Sequence, residues 1–283
     1  MQIILENEYG KKIQMTGNEN RWQVTSLTGL NPPPAAISTS AIPSLDGSRF
    51  NSSRLDNRNI VLTMAINGDV EENLETLNRI IMPKRYIKVY YSTNEKELYT
   101  EGRVETFDYD KFEGSKIHAQ ASILCFDPYW HSLERDEQTL SNHIGLFEFP
   151  FSIPDEGIAI SEILGSTLRV FKNLGTVASG LQFTIEVSNS VVNPYLQNTT
   201  TGEKMTFNLT LNRGDVLEVS TVKKSKYIRL YSGGMTTNVM NSLANGSKWI
   251  TLTLGENNVI YGSDTGSEAM TIRTSRENLF GGV

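Results

Sequence analysis

The chain has a single cysteine, Cys125, among its 283 residues. One thiol excludes an internal disulfide framework and a zinc site of clustered thiolates, and it suits folding in a reducing cytoplasm. Histidine is scarce as well. His118, His131 and His143 fall on separate predicted elements, and none has a second ligand at metal-binding spacing. No apolar run reaches the roughly 18 residues of a membrane-spanning helix. The start, Met1-Gln2-Ile3-Ile4-Leu5-Glu6, has no basic segment ahead of an apolar one and does not read as a signal peptide. The sequons at Asn51, Asn198, Asn208 and Asn245 then read as chance. Charge of one sign is never concentrated: the net −6 is spread evenly, and the only basic run is Lys223-Lys224-Ser225-Lys226. That run reads as a solvated turn, so neither nucleic acid nor membrane is an expected partner.

Catalytic patterns are equally sparse. No serine lies in Gly-x-Ser-x-Gly at a strand-to-helix turn, and Gly233-Gly234 is not followed by the Lys-Ser/Thr of a phosphate loop. Asp108, Asp110 and Glu113 read as a solvated hairpin tip rather than an acid–base pair. Cys125 ends the apolar face of a strand with no base in view, which is the pattern of a small core hydrophobe. These residues point away from an enzyme and call for no cofactor.

What the chain does have is a long polar insertion. Between the strand-like Trp22-Gln23-Val24 and Ile60-Val61-Leu62 lies Asn31 to Asn59, rich in Pro, Ser, Asn, Asp and Arg. Structureless loops beyond about 12–15 residues are uncommon inside domains and are usually functional or disordered. Here Ile37–Ile42 and Arg49–Leu55 flank the turn signal Ser44-Leu45-Asp46-Gly47, which predicts a protruding hairpin. A lone two-stranded hairpin is marginal in water, so it needs another surface, and a second copy of the chain is the expected one. Ile37, Ile42, Asp46, Gly47, Arg49, Phe50 and Leu55 are the candidate contact residues.

The rest divides into two expected domains. In the first, 1–130, Ile60, Leu62, Met64 and Ile66 alternate as one strand face. Asp69 with Glu72 three residues on caps the one predicted helix, whose stripe is Val70, Leu74, Leu77, Ile80 and Ile81, and Pro83 stops it. Strands follow at Tyr86–Tyr91, Leu98–Phe107 and Ile117–Cys125. The polar stretch 131–142 is expected to be an exposed linker. From 143 to 283 short strand patterns recur at about 8–12-residue spacing, the pattern of a β-sandwich or jelly roll. They are Arg169–Leu174, Leu181–Val187, Lys204–Leu211, Val216–Ser220, Tyr227–Tyr231, Trp249–Leu254, Val259–Tyr261 and Met270–Arg273. Tyr227, Tyr231, Trp249 and Tyr261 are candidate sugar-facing aromatics, because such rings offer an apolar face with a polar rim. Trp249, just ahead of Ile250/Leu252/Leu254, fits a core position equally well.

Several segments, in order along nearly the whole chain, resemble the distal tail (Dit) proteins of siphophages that infect Gram-positive bacteria. In the first half these are Val24–Pro33, Leu45–Phe50, Arg58–Leu62, Ile66–Asp69, Gly102–Glu105 and Cys125–Trp130. In the second they are Phe147–Pro154, Lys172–Gly175, Ser179-Gly180, Gly202-Glu203, Leu211–Asp215, Gly246–Trp249 and Gly281–Val283. Each is mostly turn chemistry, and their order and spacing carry the resemblance. It implies a mainly β chain with one helix in an N-terminal α+β sandwich, an arm at 37–55, and a galectin- or carbohydrate-module-like C-terminal sandwich of the compact kind.

It also implies a structural virion protein of the tail tip, made in the host cytoplasm. As a homohexameric ring it would join the tail tube protein to the tail-associated (Tal) protein and anchor receptor-binding proteins. The alternative class is a carbohydrate-binding module recognising host cell-wall polymer through the aromatics named above.

Overall fold

The computed structural model describes residues 2–16, 21–43, 45–110, 116–141, 143–145, 161–163 and 168–283. The chain divides into two compact units, Met1–Glu134 with Leu279–Val283, and Arg135–Asn278. The described residues are mainly β with one α-helix.

The first unit begins with strands β1 (Gln2–Asn7), β2 (Lys12–Thr16) and β3 (Trp22–Thr28). A separate hairpin follows, β4 (Ala35–Ala41) and β5 (Ser48–Leu55), then β6 (Arg58–Asn67) and helix α1 (Val70–Ile80). Strands β7 (Tyr86–Ser92), β8 (Glu97–Tyr109), β9 (Lys116–Cys125) and β10 (Trp130–Ser132) complete it. The main sheet runs β2-β1-β7-β8-β9-β6-β3, with β10 added to β8 and the returning strand Leu279–Phe280 added to β10. Its end strands β2 and β3 also approach each other, so the sheet curls around one core.

Alternation explains why these strands form. On β6, Ile60, Leu62, Met64 and Ile66 are buried, and β9 answers with Ile117, Ala119, Ala121, Ile123 and Cys125. The register sets large against small, Met64 opposite Ala119 and Leu62 opposite Ala121, which lets one layer fill without overlap. Each large apolar side chain so buried contributes about 1.5–3 kcal/mol. Helix α1 starts where the Asp69 carboxylate accepts the Glu72 backbone N–H at 3.1 Å. It seats Val70, Leu77 and Ile80 in the core and ends at Ile80, three residues before Pro83.

The second unit holds β11 (Asp136–Ser141), β12 (His143–Gly145), β13 (Ser161–Ile163), β14 (Arg169–Asn173) and β15 (Gln182–Val187). Then come β16 (Val191–Val192), β17 (Tyr195–Asn198), β18 (Glu203–Thr206), β19 (Thr210–Leu211) and β20 (Val216–Ser220). Strands β21 (Tyr227–Ser232), β22 (Met235–Asn238), β23 (Gly255–Gly262) and β24 (Met270–Arg276) close the unit. A six-stranded sheet, β11-β24-β15-β20-β21-β22, and a four-stranded sheet, β14-β23-β17-β18, share one apolar core and make a β-sandwich. Phe183, Ile185, Leu217, Val219 and Ile272 come from the first sheet, and Phe171, Leu196, Met205, Val259 and Tyr261 from the second.

Four expectations need correction. The stretch 131–142 is no exposed linker: it contains most of β10 and all of β11, the latter paired with β24 from Asp136↔Arg276 to Ser141↔Thr271. Its polar sequence reflects a strand with an outward face in water, with Leu140 as its buried apolar anchor. The segment Leu279–Val283 belongs to the first unit, not the second, because Phe280 pairs with Trp130. Trp249–Leu254 buries Ile250 and Leu252 but forms only an isolated bridge, Ser179↔Leu252. There the Glu203 carboxylate takes the Thr251 N–H and hydroxyl, and the Asn257 side chain takes those of Thr253, in place of a ladder. Lys204–Leu211 is likewise broken, into β18 and β19 around the single bridge Phe207↔Leu243.

Candidate assembly site

The hairpin β4–β5 is a two-stranded sheet of its own, exposed along both strands until Leu55, which is half-buried. Its register runs Ala35↔Leu55 to Ala41↔Ser48, with a bulge where Ser38 faces Ser52 and Thr39 faces Phe50. Asn51 is the extra residue, and its amide donates to the Ser40 hydroxyl at 2.6 Å. At the tip the Leu45 N–H donates to the Ile42 carbonyl at 3.3 Å, and Gly47 takes φ +91°. Ser44, part of the predicted turn, lies outside the described residues.

Large apolar groups stand in water along this arm: Ile37 is 65% exposed, Phe50 61% and Leu45 68%, with Ile42 beside them. Asp46 and Arg49 are exposed too. A two-stranded hairpin that leaves these side chains in water has no core of its own to stabilise it.

The arm's root is built differently. Arg58, the first residue of β6, is 1% exposed, and its guanidinium is surrounded by backbone carbonyls. Nη2 and Nε donate to Pro128 O at 2.7 and 3.0 Å, and Nη1 to Asn31 O at 2.9 Å and Leu30 O at 3.2 Å. Gly29 O and Gly281 O accept as well. The Trp130 ring lies 5.3 Å from the Arg58 Cζ. Burial pulls the Arg58 pKa down from its ordinary value. The carbonyl cage replaces the lost water, and a cation held this way ties three chain segments together. Sequence reasoning missed this role, since an arginine at a strand start reads as a surface residue.

The second unit does not gather the four candidate aromatics. Tyr261 is 1% exposed in the sandwich core, so its sugar-facing assignment is wrong: β23 alternates, and Tyr261 falls on the buried face with Val259. Trp249 is half-buried, with the Lys226 ammonium 4.8 Å from its ring centre. Tyr227 and Tyr231 donate to the two oxygens of Glu218 at 2.8 and 2.7 Å, and the Arg229 guanidinium sits 4.2 Å over the Tyr227 ring. Burial, followed by the bond to Glu218, pushes the Tyr227 pKa up to about 12.

Cys125 is fully buried, and burial pushes its thiol up to about 11, the opposite of an activated nucleophile. His131 stacks on Tyr99, ring centres 5.2 Å apart, with Nε2 3.4 Å from Asp127. His118 is exposed on its strand. The His143 side chain and Glu113 lie outside what is described. Among the described residues no group of three or more His, Cys, Asp or Glu is placed to hold a metal ion.

Comparison with known proteins turns this geometry into a family. The family described as the phage tail protein RIFT-related domain matches residues 13–123, and the siphovirus-type tail component, C-terminal domain, matches residues 174–275. The crystal structure of the Dit protein (gp 19.1) of phage SPP1, described as a paradigm of hub adsorption apparatus in Gram-positive-infecting phages, superposes with a TM-score of 0.69. The match covers 97% of this chain and 98% of that one at 14% identity, which is a shared fold. The chain belongs to the siphophage distal tail protein family.

Two structures of the phage P2 baseplate in its activated conformation, with Ca and with Sr, are also similar. Their TM-scores are 0.49 and 0.47 at 12% and 11% identity, covering 97% of both chains in each case. No curated protein matches the sequence. As a distal tail family member the protein is a structural component of the phage tail. The family's turn motifs gain a physical meaning here: Gly29–Asn31, Arg58, Pro128, Trp130 and Gly281 all meet at one guanidinium. Phe147–Pro154, which also carried the resemblance, lies outside the described residues.

Proposed function

We propose that the chain forms a ring of identical copies in which the arm, 37–55, of each copy packs on its neighbour. The one observation that carries this reading is a hairpin exposed along its length that holds Ile37, Ile42, Leu45 and Phe50 in water. Head-to-tail contacts of this kind close into a ring when the rotation between copies divides a full turn. Six copies is the number that the family resemblance implies. The ring joins the tail tube protein on one side to the tail-associated protein on the other, and the sandwich unit anchors receptor-binding proteins. The ring-forming domain is the first unit, and synthesis takes place in the cytoplasm of the host bacterium. No catalytic step is assigned to it.

A direct sugar-binding role is not favoured, since Tyr261 is core, Trp249 lies under Lys226 and the two remaining tyrosines are engaged with Glu218. The test is a chain in which 37–55 is replaced by a Gly-Ser turn, weighed by native mass spectrometry and sedimentation with and without the tube protein. The expected result is a folded protein with depleted rings. Rings formed at the level of the intact chain would overturn the arm's role.

A further inference from the structure

We infer that Arg58 and the returning segment Leu279–Val283 form a clasp that fixes the root of the arm, making Arg58 a positioning residue for assembly. This rests on the arm being the contact between copies, and it goes further by naming what aims it.

The geometry is local to the first unit. Leu279–Phe280 adds to β10 through Trp130↔Phe280 and His131↔Leu279. That pairing delivers Gly281 to Arg58, whose guanidinium donates to the Gly281 carbonyl. The next two residues land on the strand-to-arm connection. The Val283 N–H donates to the Leu30 carbonyl at 3.2 Å. A β-carbon on Gly282 would stand 2.6 Å from Pro32 Cδ and 2.9 Å from Pro32 N, so the backbone there lies flat against the root. From the other side Arg58 holds the carbonyls of Gly29, Leu30 and Asn31. The arm then leaves through Pro32-Pro33-Pro34 and comes back to close with the Asp56 N–H donating to Pro34 O at 2.9 Å.

Three consecutive prolines are stiff and lack N–H donors, so they cannot pair with the sheet themselves. Their direction must be set where they begin. That point, Leu30–Pro32, is held by groups from two distant parts of the sequence, 58 and 281–283. A rigid spacer anchored at its base carries a fixed direction to its tip, whereas the same spacer on a loose base samples a cone. Pre-set direction lowers the ordering cost of docking.

The test uses the full chain in three forms: ending after Phe280, carrying Gly282→Leu, and carrying Arg58→Gln as a third variant that risks the fold. Hydrogen exchange at Asp56 and at Gly29, Leu30 and Asn31 reads the root in the free protein, and ring formation with the tube protein is read by native mass. The shortened chain keeps the Trp130↔Phe280 pairing and is expected to exchange at Asp56 about tenfold faster or more, while β6 and β9 amides stay protected. Its ring fraction is expected to fall, and adding the truncation to an arm-less chain is expected to cause no further fall. Unchanged exchange at Asp56 and at 29–31 in both the truncated and the Gly282→Leu chains overturns the clasp. Rings that survive arm removal refute the arm contact instead, and the exchange result still decides the clasp.

Discussion

Gly29 is pressed against Asn59: a β-carbon on Gly29 would stand 2.0 Å from the Asn59 carbonyl oxygen, and Gly29 takes φ +85°. Both facts require glycine, one by contact with backbone that cannot step aside and one by conformation. The same residue presents its carbonyl to Arg58. Gly29→Ala is therefore expected to cost roughly 3 kcal/mol or more, since strain and a lost charge-assisted hydrogen bond act together. The denaturant midpoint of the full chain checks it, and a change below about 1 kcal/mol would show that the β3–arm connection yields easily.

Much of the first unit was legible from local pattern. Asp69, Glu72 and Pro83 bound the helix, and the alternation of Ile60, Leu62, Met64 and Ile66 marks a strand. The arm showed itself through composition and the Asp46-Gly47 turn. Features set by distant partners were not legible. Asp136–Ser141 carries Leu140 as its buried apolar residue, so alternation was too weak to name a strand that its pairing with β24 creates. Trp249–Leu254 has true alternation, yet side chains from Glu203 and Asn257 occupy its backbone groups. The return of Gly281 to Arg58 spans most of the chain, and no periodicity encodes it.

Asn257 is the polar centre of the sandwich. Its Oδ1 accepts from the Thr253 N–H, the Thr253 hydroxyl and the Asn198 amide, and its own amide donates to Thr253 O and Gly255 O. Asn257→Ala leaves buried donors and acceptors without partners and is expected to cost about 2–4 kcal/mol. Asn257→Asp keeps the acceptor but loses both donations and buries a charge, so it is expected to be no milder. Thermal melting of the two variants decides this, and a tolerated aspartate would mean that water replaces the network.

Cys125 offers a probe of the first unit's integrity. Full burial and a thiol pushed up to about 11 predict that a maleimide at pH 8 reacts on the order of a thousandfold more slowly than with the unfolded chain. The labelling rate is expected to rise with urea in step with the loss of near-ultraviolet dichroism. Fast labelling of the native chain would place an opening motion at the end of β9.

Alkaline pH should weaken both units. Burial, with a carboxylate partner, pushes Tyr90 and Tyr227 each up to about 12, from an ordinary value of 10. A raised folded-state pKa stabilises the fold fully below the ordinary value and loses that contribution as pH rises through the folded one. The denaturant midpoint is therefore expected to fall between about pH 10 and 12. Tyr227→Phe is expected to flatten the share of that fall belonging to the sandwich. On the acid side, Tyr90 donating to Glu6 holds that carboxylate below its ordinary range, so its contribution is kept above that range and lost as pH drops.

The arm's apolar side chains are expected to matter only between copies. Ile37 and Phe50 are mostly exposed in the single chain, so Ile37→Ser with Phe50→Ser removes only a minor part of their burial there and should shift the melting temperature little. In a packed ring each side chain would leave water, worth about 1.5–3 kcal/mol apiece. Their joint loss should weaken each contact by roughly 3 kcal/mol or more, over a hundredfold in Kd. Sedimentation across a concentration series reads that shift directly. A lowered melting temperature with unchanged assembly would instead mean that the hairpin folds back on its own unit and that the contact between copies lies elsewhere.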